Sequence, residues 1–139
     1  KFNELTTVRI GKGLTVISDE AFRHNNISNL TLPKNLITIE KQAFYQNALK
    51  KLTLPASVEK LGAHAFAINA IQTADLPETL TLIGEGAFAS NALTAIELPS
   101  GLTNITNNML TGNELTALTI PSSVTTIGEL ALATNKLKK

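Results

Sequence analysis

Apolar residues recur along this chain at a fixed interval of 22. Counted from Leu5, positions 1, 4, 6, 10, 13, 17 and 18 of each interval hold Leu, Ile, Val, Ala or Phe almost throughout. Six units result, at 5–26, 27–48, 49–70, 71–92, 93–114 and 115–136. Polar residues fill most positions between them. The unit reads L-x-x-L-x-L-P-x-x-L-x-x-I-x-x-x-A-F-x-x-N-x, and its columns hold register without an insertion. A supersecondary unit repeated in this way builds a solenoid.

Spacing within the unit predicts local structure. L-x-L ahead of proline alternates with period 2, the mark of a short strand with both Leu turned inward. Proline has no N–H to give a ladder and fixes φ, so it ends that strand in the same place in each coil. It does so at Pro33, Pro55, Pro77, Pro99 and Pro121, with Gly11 in the first coil. The stretch I-x-x-x-A-F, as in Ile39–Phe44, suits a brief helical or 3-10 turn on the other side. Asn then turns the chain back. The expected fold is an α/β repeat solenoid with one short parallel strand per coil. A single coil cannot bury enough apolar surface to fold alone, so each must cover the next.

Two columns carry structural expectations of their own. Asn stands at 3, 25, 47, 69, 91, 113 and 135. Its side chain can bond backbone groups that a turn would strand, so a buried structural ladder is expected. Phe22, Phe44, Phe66 and Phe88 share a column that passes to Leu110 and Leu132. One ring per coil after an Ala predicts an interior stack.

Composition narrows the chemistry. With 12 basic and 11 acidic residues the net charge is +1, which argues against capture of nucleic acid or of an anionic membrane. No cysteine is present, so thiol catalysis, disulfides and thiolate metal sites fall away. Aromatics make up 4% against 43% hydrophobic residues, so the core is aliphatic. No apolar run is long enough to span a bilayer. His24 and His64, the two histidines, fall in different columns and suggest no shared metal site. No nucleophile–base order, phosphate loop or paired-carboxylate constellation stands out, so the chain reads as no enzyme, with no cofactor and no metal.

L-x-x-L-x-L followed by L-P-x-x-L-x-x-I-G-x-x-A-F-x-x-N resembles the BspA-like leucine-rich repeats of bacterial surface proteins. Leu80–Phe88 and Val124–Gly128 are the fullest copies. The chain is a 22-residue variant, with Asn where the family often carries Cys. The resemblance covers nearly all of 1–139 as one leucine-rich-repeat domain. It implies a right-handed horseshoe, a secreted or surface-exposed parent, and adhesion to host or neighbouring-cell proteins.

In an L-x-x-L-x-L strand, positions 3 and 5 face away from the core. Position 5 reads Arg9, Thr31, Thr53, Asp75, Glu97, Thr119, and position 3 contributes Lys51. Position 8, past the proline, adds Glu78. This face, expected to be concave, is basic in the first coils and acidic around Asp75, Glu78 and Glu97. Arg9, Thr31, Lys51, Thr53, Asp75, Glu78, Glu97 and Thr119 are therefore the candidate protein-binding residues. A host extracellular-matrix or cell-surface protein is the expected partner. The alternative is a spacer that presents another domain, since no aromatic anchor lies in these columns. Tyr45 looks exposed, on the other side.

Two short motifs carry no weight. Leu76–Leu80 resembles a wall-anchoring L-P-x-T-G signal, but Leu80 replaces its glycine. Matches to the glycosylation sequon at Asn26, Asn29 and Asn104 are expected by chance in so Thr- and Asn-rich a chain. The chain opens within a repeat and Leu137 begins a seventh. The expectation is a fragment of a longer chain, or ends that associate with another copy.

Overall fold

The computed structural model describes residues 3–138. Each 22-residue interval makes one coil, and successive coils stack with parallel register. Two columns of strand run along the stack. The first holds β1 (Thr7–Arg9), β3 (Asn29–Thr31), β5 (Lys51–Thr53) and β7 (Thr73–Asp75). The second holds β2 (Val16–Ile17), β4 (Thr38–Ile39), β6 (Lys60–Leu61), β8 (Leu82–Ile83), β9 (Asn104–Ile105) and β10 (Thr126–Ile127). Every pairing joins residues 22 apart, as in Val8↔Leu30 and Ile39↔Leu61. The repeat period and the coil period are the same.

The strand count departs from the sequence expectation. The second column is strand because Thr15-Val16-Ile17, Ile37-Thr38-Ile39, Thr81-Leu82-Ile83 and Thr125-Thr126-Ile127 are rich in β-branched residues, which fit a pleated surface, and Lys60–Leu61 pairs between two such strands. In the first column, strand is confined to coils 1–4; residues 95–97 and 117–119 are irregular. Between the columns the proline carbonyl closes a tight turn, accepting the amide three residues on: Leu36 from Pro33 at 3.2 Å and Val58 from Pro55 at 3.1 Å. The proline thus also opens the corner into the second column.

No helix forms among the described residues. The I-x-x-x-A-F stretch is a pair of isolated turns, with Ala21 N–H donating to Ser18 O and Arg23 N–H to Glu20 O. Position 16 adopts left-handed φ in all six coils, from 54° at His64 and Leu130 to 60° at Gly86. Position 20 does the same, from 53° at Thr134 to 67° at Gly112. A helix cannot propagate through left-handed residues. The amides at positions 16, 18 and 20 donate instead to the next coil, as Gln42, Phe44 and Gln46 do to Ala63, Ala65 and Ala67, each at 2.9 Å. This third ladder crosses every junction.

The core fills the space these columns enclose. Leu36, Ile39, Phe44, Phe66, Leu80, Phe88 and Leu93 are fully buried, with Ala43, Ala65 and Ala87 beside the rings. The Phe rings stack as expected, at centroid separations of 5.2, 5.3 and 6.1 Å from Phe22 to Phe88, with planes within 8°. Asn25 and Asn113 are buried, at 8% and 5% exposure, and Asn47, Asn69, Asn91 and Asn135 of the same column are half-buried. Each of these accepts the amide that opens its own coil and donates to the position-18 carbonyl; Asn91, for example, serves Ile71, Phe88 and Phe66. The Asn column is a structural ladder.

Candidate protein-binding face

Alternation in the first strand column decides which side chains reach solvent. In β1 and β5 the middle residue, Val8 or Leu52, is buried and its neighbours are exposed. All eight candidate residues, Arg9, Thr31, Lys51, Thr53, Asp75, Glu78, Glu97 and Thr119, are exposed on this side. The parallel register aligns them in rows: Arg9 beside Thr31, Lys51 beside Thr73, and Thr53 beside Asp75. In the last pair the Thr53 hydroxyl donates to Asp75 at 3.3 Å. Charge changes sign at this row, from Arg9, Lys34 and Lys51 to Asp75, Glu78 and Glu97.

Glu78 is held rather than loose. One of its carboxylate oxygens accepts both the Ser100 hydroxyl, at 2.6 Å, and the Ser100 amide, at 2.9 Å. The hydroxyl bond first, and then the amide, hold its pKa below the usual glutamate value, with a small opposing effect of burial. The pair links coil 4 to coil 5.

Beyond Asp75 the face opens into two shallow grooves. One, of about 300 Å³, lies between coils 4 and 5 and is lined by Thr73, Asp75, Thr94, Ala95 and Glu97. The other, of about 480 Å³, lies between coils 5 and 6 and is lined by Ala95, Glu97, Ser100, Ala117 and Thr119. Sequence reasoning places Ser100 on this face at position 8 but missed the grooves, because they follow from first-column strand pairing that coils 5 and 6 do not make. The available signal was the departure of coil 5 from the repeat, at Gly101, Thr106, Met109 and Leu110.

Tyr45 is half-buried rather than exposed. The Arg23 guanidinium lies 5.2 Å from its ring centroid and His24 meets it edge-on at 5.7 Å. Arg23 also pairs with Glu20 at 3.0 Å. Among the described residues no group of three His, Cys, Asp or Glu side chains is placed to hold a metal, and no helix is long and apolar enough to cross a membrane.

A stack of parallel-stranded coils with an invariant core and a variable outer row defines a repeat solenoid of the leucine-rich kind. Residues 15–138 match the BspA type leucine rich repeat region in six copies, and the chain belongs to that family. No curated protein matches the chain. Among solved structures it is similar to a leucine-rich repeat protein from Bacteroides ovatus, with TM-score 0.70 and 22% identity over 96% of this chain and 42% of that one. It is also similar to the T. pallidum leucine rich repeat protein TpLRR, with TM-score 0.69 and 21% identity over 88% of this chain and 73% of that one. The pneumococcal vaccine antigen PcpA follows, with TM-score 0.59 and 17% identity over 96% of this chain and 50% of that one. The chain spans less than half the length of the Bacteroides protein. At these identities the likeness concerns the fold.

Proposed function

We propose that this chain is a non-enzymatic protein-binding module of a bacterial surface or secreted protein, engaging host or neighbouring-cell proteins through its first strand column. The observation that carries the reading is the row of eight exposed, variable side chains on a frame whose core columns barely vary. Rigid presentation of variable residues is how repeat solenoids bind. Fixed strands also lower the ordering cost of association. Family membership supports a protein-interaction role, and one structural neighbour is described as a vaccine antigen, which supports an extracellular setting. The sign change at Asp75 gives the row a direction, so a partner with the opposite polarity docks in one orientation.

The test is surface plasmon resonance against a panel of purified extracellular-matrix and cell-surface proteins, comparing the native chain with Asp75→Lys/Glu97→Lys. A partner whose affinity falls about tenfold or more in the variant supports the reading. Affinity indifferent to the change, or no partner in the panel, favours the spacer role, which the lack of aromatic anchors on this face would suit.

A further inference from the structure

Position 14 of each coil lies against the backbone of the coil before it. A Cβ on Gly62 would stand 2.4 Å from Lys41 N, one on Gly84 2.5 Å from Ala63 N, and one on Gly128 2.5 Å from Asn107 N. Glycine there lets the coils close, and the amides of Gly62, Gly84 and Gly128 donate to the preceding position-13 carbonyls at 2.7, 2.8 and 2.7 Å. In coil 5 the residue is Thr106. Its amide makes no such bond; its hydroxyl donates instead to Ile83 O, at 3.0 Å, taking the acceptor the ladder would use. β8 and β9 do not pair. Glu40, at the same position of coil 2, has no hydroxyl to compete, and its amide reaches Ile17 O at 2.8 Å.

Other departures in coil 5 face the same neighbour. In coils 3, 4 and 6 position 9 carries a hydroxyl that clamps the previous coil, where coil 2 has Asn35: Ser57 reaches the carbonyls of Lys34 and Leu36, Thr79 those of Ala56 and Val58, and Ser123 that of Leu102. In coil 5 this residue is Gly101. The ring stack also stops here, since Phe88 meets Leu110. On the binding face no backbone bond joins β7 to residues 95–97. Among the described residues, the junction between coils 4 and 5 is the one at which neither strand column pairs. It is held by three amides of the turn ladder, from Gly86, Phe88 and Ser90, by Asn113 on Phe88 O, by the Thr106 hydroxyl on Ile83 O, and by the Glu78–Ser100 link.

We infer that the array is two bodies, coils 1–4 and coils 5–6, joined at a seam between coils 4 and 5 that opens before any other internal junction. Repeat stability is a sum of coil terms and nearest-neighbour interfaces, so a single thinned interface sets where the stack parts. Asp75 and Glu78 stand on one lip of the seam and Glu97 on the other. If the first strand column is the binding face, as proposed above, a partner spanning both lips favours the closed form, and opening of the seam weakens its hold.

Native-state hydrogen exchange on the full chain tests the seam without a ligand. The amides of coils 5 and 6 are expected to share one opening, with protection about tenfold or more below that of Phe44 and Phe66. The double variant Gly101→Ser/Thr106→Gly restores the clamp and the close approach. The space at Gly101 accepts a Cβ, its nearest neighbour being Thr81 Cγ2 at 3.5 Å. That variant should bring the two groups within about threefold. A single opening of all coils, or coil 6 exchanging alone while coil 5 stays as protected as coils 2–4, would overturn the seam. A gap unmoved by the repair would overturn its assigned cause. Because none of these outcomes involves binding, failure of the seam is distinct from failure of the proposed function.

Discussion

The side-chain amide of Asn69 donates to the carbonyl of Phe44, 25 residues earlier, at 3.0 Å, while also serving Phe66 in its own coil at 3.1 Å. Its oxygen takes the Leu49 amide at 3.1 Å. One side chain therefore ties together two coils and closes a third backbone gap. Asn69→Ala leaves the Leu49 amide without its partner and takes one of two donors from each of the Phe44 and Phe66 carbonyls, which Asn47 and Asn91 also serve. The expected loss is about 1–3 kcal/mol, read as a shift of the urea midpoint. Since Asn69 lies away from the first strand column, binding through that column should be unchanged.

Glycines that look alike in sequence should behave differently. At Gly84 a Cβ meets the backbone of Gly62 and Ala63 at 2.5–2.9 Å, whereas at Gly11 nothing lies within 4 Å. Backbone atoms cannot step aside as a side-chain tip can. Gly84→Ala is expected to destabilise by about 2–4 kcal/mol, and Gly11→Ala by less than about 0.5 kcal/mol. Thermal melts of the two variants, side by side, check the contrast; equal melting temperatures would refute it.

Ile68 is 42% exposed and sits at φ 54°, a conformation that costs a β-branched residue more than it costs Asn. Its amide bonds Ala89 O and its carbonyl receives Asn47 N–H, so a change of side chain leaves the ladder in place. Ile68→Asn should stabilise the chain by about 1 kcal/mol, measured by chemical denaturation. A destabilised variant would show that the apolar contacts of Ile68 outweigh the relieved backbone.

Much of this architecture was legible in the sequence, because whatever repeats six times is easy to read. The buried columns, the Phe stack and the Asn ladder all follow from residues 22 apart. The second strand column was harder. In Leu36-Ile37-Thr38-Ile39 the apolar spacing of three resembles one face of a helix, and the β-branched run is the better guide. The left-handed residues were hidden because position 16 holds Glu20, Gln42, His64, Gly86, Asn108 and Leu130, with only one glycine among them. Burial of the turn and its inter-coil bonds impose that conformation on side chains that would not choose it. Exposure of seven of the eight face residues followed from period-2 alternation, and that of Glu78 from its place past the proline. The grooves beyond Asp75 did not, since they depend on first-column strand pairing that coils 5 and 6 do not make.

Acid should act on the link between coils 4 and 5. The folded-state pKa of Glu78 lies below its ordinary value of 4.5 because Ser100 bonds the ionised carboxylate. Its contribution to stability is therefore present above that ordinary value and is lost as pH falls through the lowered folded value. Ser100→Ala should flatten this part of the stability profile below pH 4.5 and leave neutral-pH behaviour of distant coils unchanged. An unaltered acid slope in the variant would mean that the link carries no protonation-dependent stability.

The most direct measurement compares charge inversion on the two strand columns. In one variant Arg9→Glu, Lys51→Glu, Asp75→Lys and Glu97→Lys invert the first column; in the other, Glu59→Lys and Lys60→Glu invert exposed residues near the second. Both are checked by circular dichroism for an intact fold and then tested for binding to the same panel of extracellular-matrix and cell-surface proteins. The first variant should lose about tenfold or more in affinity while the second binds like the native chain. Loss confined to the second variant, or equal binding by both, would contradict a binding site on the first column.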